Sequence, residues 1–397
     1  MELAKRLSVI KPSATLEITA TAKAMRAKGI DVIGFGAGEP DFDTPENIKQ
    51  AAVQALNNGF TKYTVASGTD ELKQAVAEKL RRENGLAYEP GDIVISCGAK
   101  HSLYNIMCAL LNEGDEVIIP APFWVSYPDQ VLLVGGVPVP LETDERHGFD
   151  LDPEALRAKI TPRTKMLILN SPCNPSGAGY PPRTLEAIAK IAVEEDIWVV
   201  SDEIYEHIVY DGFKHVSIAS FGPEIRSRTI LVNGVSKTYS MTGWRIGYAA
   251  GPRHVAKAMG MLQGQVTSNP TSFAQSAAVE ALRGPQDAVR TMVAEFAKRR
   301  DVIVSSLNEI PGFRCFNPVG AFYVFPNCSE LFGRSWNGKK LTTSLEVSAF
   351  LLEAVKVAVV PGAPFGAEGF LRLSYATSMK NIVEGVKRIR QAVTMLQ

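Results

Sequence analysis

Short apolar runs alternate with amphipathic stretches between about residues 92 and 250 of this chain. The apolar runs lie at 92–96, 116–120, 165–171, 197–202, 228–233 and 246–250. Between several of them the apolar positions recur with a helical period, as at 100–111 and 182–195. This alternation, with strands that are apolar on both faces, predicts an α/β domain built on a mainly parallel sheet that helices cover.

The pattern changes towards the C-terminus. A long amphipathic stretch covers 285–310, and short strands are predicted at 321–325, 357–360 and 370–375, before a final helix at 379–396. These elements predict a smaller α+β domain, which suits a length of 397 residues. The first 45 or so residues do not alternate in this way, and we expect them to pack with the C-terminal elements. We therefore predict a large domain at 46–290 and a discontinuous small domain at 1–45 and 291–397.

Composition and charge exclude several classes of function. Lys plus Arg and Asp plus Glu number 42 each, so no net charge draws the chain to nucleic acid or to a membrane. The longest strongly apolar window, 131–141, is far shorter than the roughly 20 residues of a membrane span, and residues 1–6 lack the core of a secretory signal. The five cysteines form no CxxC motif and the five histidines no HxxxH motif. We expect a cytoplasmic protein with free thiols and no bound metal.

Several residues that can bind a ligand through their side chains or backbone lie at the ends of predicted strands or in the loops just after them. They are Gly98, Ala99, Lys100, Asn174, Asp202 and Lys237. In sheets of this kind ligands bind at the carboxyl ends of the strands, so these residues are expected to share one site.

Lys237 stands alone among small and hydroxyl residues, and Arg245 follows eight positions later. A partly desolvated amine beside other cations loses its proton readily and can attack an aldehyde. An arginine nearby can bind a phosphate through two parallel hydrogen bonds. An aldehyde and a phosphate in one ligand indicate pyridoxal phosphate. For the lysine alone, a solvated surface lysine is the simpler interpretation, and only the surrounding residues decide against it.

Three further residues have both a functional and a structural interpretation. Asp202 could pair with a protonated pyridine nitrogen, or it could cap a helix. Asn174 lies in a loop rich in proline and glycine, where turn chemistry alone would explain it. Tyr205 could donate to a ring oxygen, or it could be a packed core tyrosine.

Three motifs carry a family resemblance. They are Ser-Pro-x-Asn-Pro-x-Gly at 171–177, Ser-Asp-Glu-x-Tyr at 201–205 and Ser-Lys-x5-Gly-x-Arg-x-Gly-Tyr at 236–248. Together they resemble the fold type I pyridoxal-phosphate aminotransferases, and the likeness runs from 11–15 to 371–375. Segments 36–42, 124–128 and 241–245 resemble the bacterial aspartate aminotransferases of subclass Ib, some of which also aminate prephenate. The resemblance implies a large domain with a mainly parallel, seven-stranded sheet.

The resemblance also implies how pyridoxal 5′-phosphate would be held. Lys237 would form a Schiff base with it and shuttle a proton, Asp202 would hold the pyridinium proton, and Trp124 would stack on the ring. Asn174 and Tyr205 would hydrogen-bond the ring oxygen. The phosphate would be bound by Ser236, Arg245, the backbone N–H groups of Ala99 and Lys100, and Tyr63 of a neighbouring subunit. A homodimer with shared active sites follows from the last of these.

Substrate contacts are implied in the same way. Arg372 would bind the α-carboxylate, helped by Asn174, Trp124 and the backbone of Gly38. The segment 264–269 offers no arginine for a distal carboxylate, and in subclass Ib that role matches Lys100 and the segment that includes Lys11 and Thr15. Lys100 could instead be a solvated lysine at a helix start, although a cation is unfavourable there without a local anion.

One position departs from the family pattern. Many relatives hold a hydroxyl residue three positions before the catalytic lysine, where this chain has Gly234. One phosphate contact is therefore in doubt.

The sequence favours an aspartate:2-oxoglutarate aminotransferase that works by a ping-pong mechanism. The alternative is a prephenate or aromatic aminotransferase, or one enzyme with both activities. A regulator that keeps this domain as an effector sensor would carry an added basic DNA-binding module, and a net charge of zero argues against that class.

Overall fold

The computed structural model describes residues 3–10, 12 and 14–397, and for residues 14–16 the backbone alone. The strands, in chain order, are β1 Ile33–Gly34, β2 Ile93–Ser96, β3 Glu116–Ala121, β4 Val137–Glu142, β5 Thr164–Asn170, β6 Trp198–Asp202, β7 Thr229–Gly234, β8 Gly247–Ala250, β9 Tyr323–Val324, β10 Ser335–Trp336, β11 Lys339–Lys340, β12 Val357–Ala358, β13 Val360–Pro361 and β14 Leu371–Ser374.

The helices alternate with these strands over most of the chain. They are α1 Ala14–Ala27, α2 Glu46–Asn57, α3 Asp70–Asn84, α4 Ala99–Leu110, α5 Ser126–Leu133, α6 Pro153–Lys159, α7 Pro182–Glu194, α8 Pro223–Arg226, α9 Arg253–Val266, α10 Ser272–Arg283, α11 Asp287–Asn308, α12 Ser344–Val355 and α13 Met379–Thr394. Among the described residues, no helix combines the length and the apolarity that crossing a bilayer requires.

The central sheet has seven strands in the order β2-β8-β7-β6-β5-β3-β4. Strand β8 runs in the direction opposite to the other six strands, which all run the same way. The predicted, mainly parallel sheet is therefore confirmed. The prediction missed the edge strand β4, whose residues are mostly exposed or half-buried. Pro138 and Pro140 lie within it, and proline is tolerated only where one side of a strand needs no hydrogen bonds. Residues 137–141 do lie within the apolar window 131–141, but the two prolines argue against a strand there, so the sequence did not reveal β4.

Alternate residues of the inner strands pack against helices on opposite faces of the sheet. On β5, Met166 and Ile168 belong to one core cluster with Leu103 of α4. Leu167, between them, packs in a second cluster with Ile188 of α7. Side chains alternate along a strand, so a sheet covered on both faces needs apolar residues at every position.

The C-terminal elements form a separate three-stranded antiparallel sheet in the order β13-β14-β9. The N-terminal segment packs with them, because β1 pairs in parallel with β12 through Ile33 and Val357. Phe35 shares a buried cluster with residues of α11, α12 and α13. These contacts suit the expected association of the chain's two ends, while the domain boundaries at 46 and 290 stay a prediction.

Candidate active site

The carboxyl ends of the central strands open onto a cavity of about 410 Å³. Most of the residues predicted to form one site line it. They are Gly38, Ala99, Lys100, Trp124, Asn174, Asp202, Tyr205, Ser236, Lys237, Arg245 and Arg372. Asn174, Asp202 and Lys237 meet because parallel strands finish at the same edge of the sheet, whereas Gly38 comes from the N-terminal segment and Arg372 from β14.

Four predicted residues are not among the lining residues, and one of them, Gly98, directly precedes the lining residue Ala99. Tyr63 is 90% exposed and lies outside the cavity. Its predicted partner is a neighbouring subunit, so this contact stays a prediction. Lys11 lies outside the described residues, and of Thr15 only the backbone position in helix α1 is described. Helix α1 does reach the cavity, where Thr19 forms part of the wall.

The amine of Lys237 is held inside the cavity by the backbone. Its Nζ donates a 2.5 Å hydrogen bond to the carbonyl oxygen of Gly38, 199 residues away in the chain. Burial lowers the pKa of this amine to about 8, with Glu39 acting against the shift and Arg245 in its direction. An amine with that pKa is partly neutral near physiological pH and can act as a nucleophile or a proton acceptor.

Asp202 ends β6 with a buried carboxylate. Its Oδ2 accepts a 2.7 Å hydrogen bond from the Tyr127 hydroxyl, and its Oδ1 accepts one of 3.3 Å from the backbone N–H of Ile204. Burial raises the pKa of this carboxyl group to about 6, although both hydrogen bonds lower it. Residues 204–207 form a turn and no helix begins there, so the helix-cap interpretation of Asp202 is wrong.

Arg372 is a buried cation with no carboxylate partner among the described residues. It is 1% exposed. Its Nη1 donates to Oδ1 of Asn174 at 3.0 Å and its Nη2 donates to the carbonyl oxygen of Gly36 at 2.8 Å. The buried Nε has no hydrogen-bond partner in the part of the chain that the structure describes. A buried, unpaired charge is costly, so an anion in the cavity would stabilise this arrangement.

A second candidate anion site lies where helix α4 begins. The N-cap Gly98 has a φ of 86°, and no side chain caps the first backbone N–H groups of the helix. A Cβ atom on Gly98 would overlap the guanidinium group of Arg245, which donates to the carbonyl oxygen of Thr242 at 2.9 Å. The helix terminus, Arg245 and the buried Ser236 thus present donors to one end of the cavity, as phosphate binding requires.

The same strand geometry accounts for the missing hydroxyl residue at position 234. A Cβ atom on Gly234 would lie 2.9 Å from Cα of Gly247, on the paired strand β8, and from the carbonyl oxygen of Ile246, the residue before that strand. No side chain fits there without moving the backbone, so any hydroxyl contact to the bound anion must come from another residue.

Lys100 extends from α4 across the aromatic wall of the cavity. Lys100 as a whole is exposed in the single chain, although its amine group is partly covered. Its Nζ lies 4.7 Å from the ring centroid of Trp124. Burial of the amine and the charge of Arg245 both lower the pKa of Lys100. Trp124 in turn meets Tyr127 edge to face at 5.4 Å.

Comparison with known proteins assigns the chain to a family. The family model described as aminotransferase class I and II matches residues 30–389. The chain belongs to this aminotransferase family.

Individual relatives cover the whole of this aminotransferase. Aspartate aminotransferase of Geobacillus stearothermophilus is 51% identical over 391 residues, which are 98% of each chain. A probable aspartate/prephenate aminotransferase of Aquifex aeolicus is also 51% identical, over 98% of each chain. The crystal structure of the aspartate aminotransferase from Rhizobium meliloti matches with a TM-score of 0.96 at 49% identity, covering 100% of both chains. The predicted enzyme class and fold type I architecture are confirmed.

Two tyrosines of the aminotransferase site were missed by the sequence analysis. Tyr127 lies within the 124–128 motif, but only Trp124 was assigned a role, so a signal was present. Tyr323 lines the cavity and its hydroxyl lies 2.9 Å from that of Tyr205. No motif around Tyr323 indicates a role in the site, and its partner Tyr205 is 118 residues away in the chain.

One group of potential metal ligands occurs among the described residues, formed by Glu203, Glu206 and His215. Each of these side chains already has a polar partner in the protein, although Nδ1 of His215 has none among the described residues. Glu203 accepts hydrogen bonds from two serines and contacts His215 at 3.0 Å, and Glu206 forms a buried ion pair with Lys79. The expectation that the enzyme needs no metal stays a prediction.

Proposed function

We propose that this enzyme is an aspartate:2-oxoglutarate aminotransferase that uses pyridoxal 5′-phosphate. The observation that carries the proposal is that one cavity is lined both by the buried Arg372, which has no carboxylate partner among the described residues, and by Lys237, whose amine has a lowered pKa of about 8. The names of several relatives about 50% identical over nearly the whole chain support aspartate as a substrate. When bound, the cofactor supplies an aldehyde that combines with amines and a pyridine ring that accepts electrons from the substrate.

The lining residues fit this cofactor. At one end, the N-terminus of α4 and Arg245 would bind the phosphate, with Ser236 and the backbone of Ala99 and Lys100. Asp202, buried and with a pKa of about 6, is an anion at neutral pH and can hold a proton on the pyridine nitrogen. Trp124 would provide the stacking surface.

The amine of Lys237 would anchor the cofactor and later move the proton at the substrate's Cα. Its hydrogen bond to the carbonyl oxygen of Gly38 keeps it at the substrate end of the cavity. Asn174 uses its Oδ1 to orient Arg372, so its Nδ2 is left to donate to the ring oxygen beside Tyr205.

Arg372 would bind the α-carboxylate of every substrate. Asn174 and Gly36 orient its two Nη atoms. A bound carboxylate would accept a hydrogen bond from the Nε, which has no partner among the described residues. We propose that Lys100 binds the distal carboxylate of aspartate or glutamate, together with Lys11 and Thr15. The position of the Lys100 Nζ over Trp124, within the cavity wall, supports this role.

We further propose a homodimer whose active sites are shared. Apolar side chains are exposed around Tyr63 and on helix α9: Val65 is 59% exposed, Met261 72% and Val266 56%. Exposed apolar surface of this kind is typical of a protein interface. A second copy that covers it could bring Tyr63 to the phosphate end of the neighbouring cavity.

The remaining proposals concern domains and location. The pairing of β1 with β12 supports a small domain that joins residues 1–45 to 291–397 beside a large domain at 46–290. The free cysteines of the described residues support a reducing, cytoplasmic location.

A second candidate function is an enzyme that also aminates prephenate. Several relatives are named aspartate/prephenate aminotransferases, with identities near 50% over almost the whole chain. Prephenate carries a second carboxylate, so Lys100 could serve both substrates.

A panel of amino donors and oxo-acid acceptors tests the proposed function. The purified enzyme, supplied with pyridoxal phosphate, is assayed with aspartate, glutamate and phenylalanine as donors and with 2-oxoglutarate and prephenate as acceptors. We expect the highest kcat/KM for aspartate with 2-oxoglutarate, and no turnover in Lys237→Ala. A higher kcat/KM for glutamate with prephenate would favour the second function, and full turnover in Lys237→Ala would overturn the role of this lysine.

A further inference from the structure

Tyr323 lies between the residue proposed to bind the substrate carboxylate and the residue proposed to face the cofactor. It is on β9, where it pairs with Ser374 of the antiparallel strand β14. Arg372 is two residues before Ser374, so its side chain is on the same face of this sheet as that of Tyr323. Strand register therefore places the phenol and the guanidinium group side by side.

The ring of Tyr323 supports the guanidinium group of Arg372. Its centroid is 4.6 Å from Cζ of Arg372, and the ring of Phe365 lies 5.2 Å from the same atom. A buried guanidinium group in contact with two aromatic rings gains cation–π stabilisation and loses rotational freedom. Since Arg372 has no carboxylate partner among the described residues, these rings help to hold it in place before a substrate arrives.

The hydroxyl group of Tyr323 contacts the other functional residue. It lies 2.9 Å from the hydroxyl of Tyr205, and both side chains are buried. Each phenol has one proton, so this contact uses only one of the two. If Tyr323 donates, the proton of Tyr205 is left for an acceptor in the cavity, and an oxygen that accepts a hydrogen bond becomes a stronger donor.

We propose that Tyr323 is a positioning residue whose ring orients Arg372 towards the substrate carboxylate and whose hydroxyl directs the proton of Tyr205 towards the cofactor. The proposal rests on the proposed function. It assigns one side chain, which the family motifs in the sequence do not include, to both halves of the site.

The charged and titratable groups around the two phenols define what a pH titration can report. Tyr205 is faced by Arg372 and Asp202, and Tyr323 by Arg372 and Glu39. Replacing Tyr323 by phenylalanine leaves all of these groups in place and removes only the hydroxyl. A change in a titration midpoint then reports the lost hydrogen bond.

The test compares holoenzymes by visible absorbance and by steady-state kinetics. Wild type, Tyr323→Phe, Tyr323→Leu and Tyr205→Phe are titrated between pH 5 and 10, and KM for aspartate is measured. In Tyr323→Phe we expect the midpoint of the visible band to rise by about 0.5 pH units, less than in Tyr205→Phe, because Tyr205 becomes a weaker donor. KM should change little in Tyr323→Phe, and it should rise about 10-fold or more in Tyr323→Leu, which removes the supporting ring.

Tyr375→Phe is the matched control. Tyr375 is equally buried, and its hydroxyl donates to the carbonyl oxygen of Ala321 at 3.1 Å, outside the cavity wall. Its midpoint should equal that of wild type, and the melting temperatures of the cofactor-free variants should show that both phenylalanine variants fold. A wild-type midpoint in Tyr323→Phe, or an equal shift in Tyr375→Phe, would overturn the proposal. A wild-type enzyme without any Lys237-dependent visible band would instead overturn the proposed function.

Discussion

The hydroxyl group of Tyr127 donates a 2.7 Å hydrogen bond to Oδ2 of Asp202. The donor comes from helix α5 and the acceptor from the end of β6, 75 residues apart in the chain. Burial raises the pKa of Asp202, and this hydrogen bond is the strongest influence in the opposite direction. Tyr127 therefore helps to keep Asp202 ionised at neutral pH, which the proposed pairing with the pyridine nitrogen requires.

Tyr127→Phe tests that relationship. Losing a hydrogen bond to a charged group costs about 1.5–3 kcal/mol, so we expect kcat/KM at pH 7 to fall about 10- to 100-fold. Activity that needs the carboxylate is lost as the pH falls through the pKa of Asp202. The variant raises that pKa, so the acid limb of the pH profile should move to higher pH. A lower rate with an unmoved acid limb would show that Tyr127 acts only through packing against Trp124.

The amine of Lys237 should control how fast the cofactor is captured. In the cofactor-free protein the neutral amine reacts, so the rate of capture should rise with pH, with a midpoint near the pKa of about 8. Glu39 raises this pKa, so Glu39→Gln should move the midpoint to lower pH. Stopped-flow absorbance after adding pyridoxal phosphate measures the rate. Glu71→Gln, on an exposed position of α3, serves as the control, and an upward shift in Glu39→Gln would contradict the expectation.

Lys100→Ala should separate recognition of the distal carboxylate from the common chemistry. Removing one partner of a desolvated ion pair costs about 2–5 kcal/mol, and kcat/KM for aspartate and glutamate should fall accordingly. Phenylalanine and alanine lack the second carboxylate and should change little. The comparison is made between substrates in one enzyme at saturating cofactor. An equal loss for phenylalanine and aspartate would assign Lys100 to the phosphate or to the fold, and Lys11 would be tested next.

We expect the buried ion pair between Lys79 and Glu206, next to the cavity-lining Tyr205, to stabilise the folded state. Lys79 of α3 is 1% exposed and contacts Glu206, which also accepts hydrogen bonds from Asn84 and Asn233. Burial acts to raise the pKa of Glu206, but the charges of Lys79, His207 and His215 and the hydrogen bond from Asn84 together outweigh it and hold the pKa below its usual value. Lys79→Met leaves this carboxylate without its cation, and the free energy of unfolding should fall by about 3–5 kcal/mol.

Urea denaturation at fixed protein concentration measures that change. The control is Lys49→Met on α2, which removes a lysine whose 2.7 Å ion pair with Glu46 is on the surface. It should leave the urea midpoint almost unchanged, because solvent screens such pairs. Equal midpoints for the two variants would show that the buried pair contributes no more than a surface pair.

The sequence by itself determined the elements whose signal is local. Six strands of the central sheet were predicted because burial on both faces demands apolar residues at every position, whereas two prolines argue against a strand at the exposed edge strand β4. Asp202 and Lys237 were found because each follows such a strand, and the carboxyl ends of parallel strands meet at one edge. Asn174 was found in the same way and Arg245 by its place eight residues after Lys237, while Arg372 was added by the family resemblance.

Only the tertiary structure decided which distant groups touch. Lys237 meets the carbonyl oxygen of Gly38 across 199 residues, and Arg372 meets Asn174 across 198. Tyr323 reaches Tyr205 and Arg372 through the register of β9 against β14, which no local pattern of residues specifies. A displacement of a few tenths of an ångström weakens a hydrogen bond or an ion pair. The required distances arise from packing between segments that are far apart in the sequence. For the same reason, only the packed strands showed that Gly234 has no room for the hydroxyl residue that the family resemblance implied there.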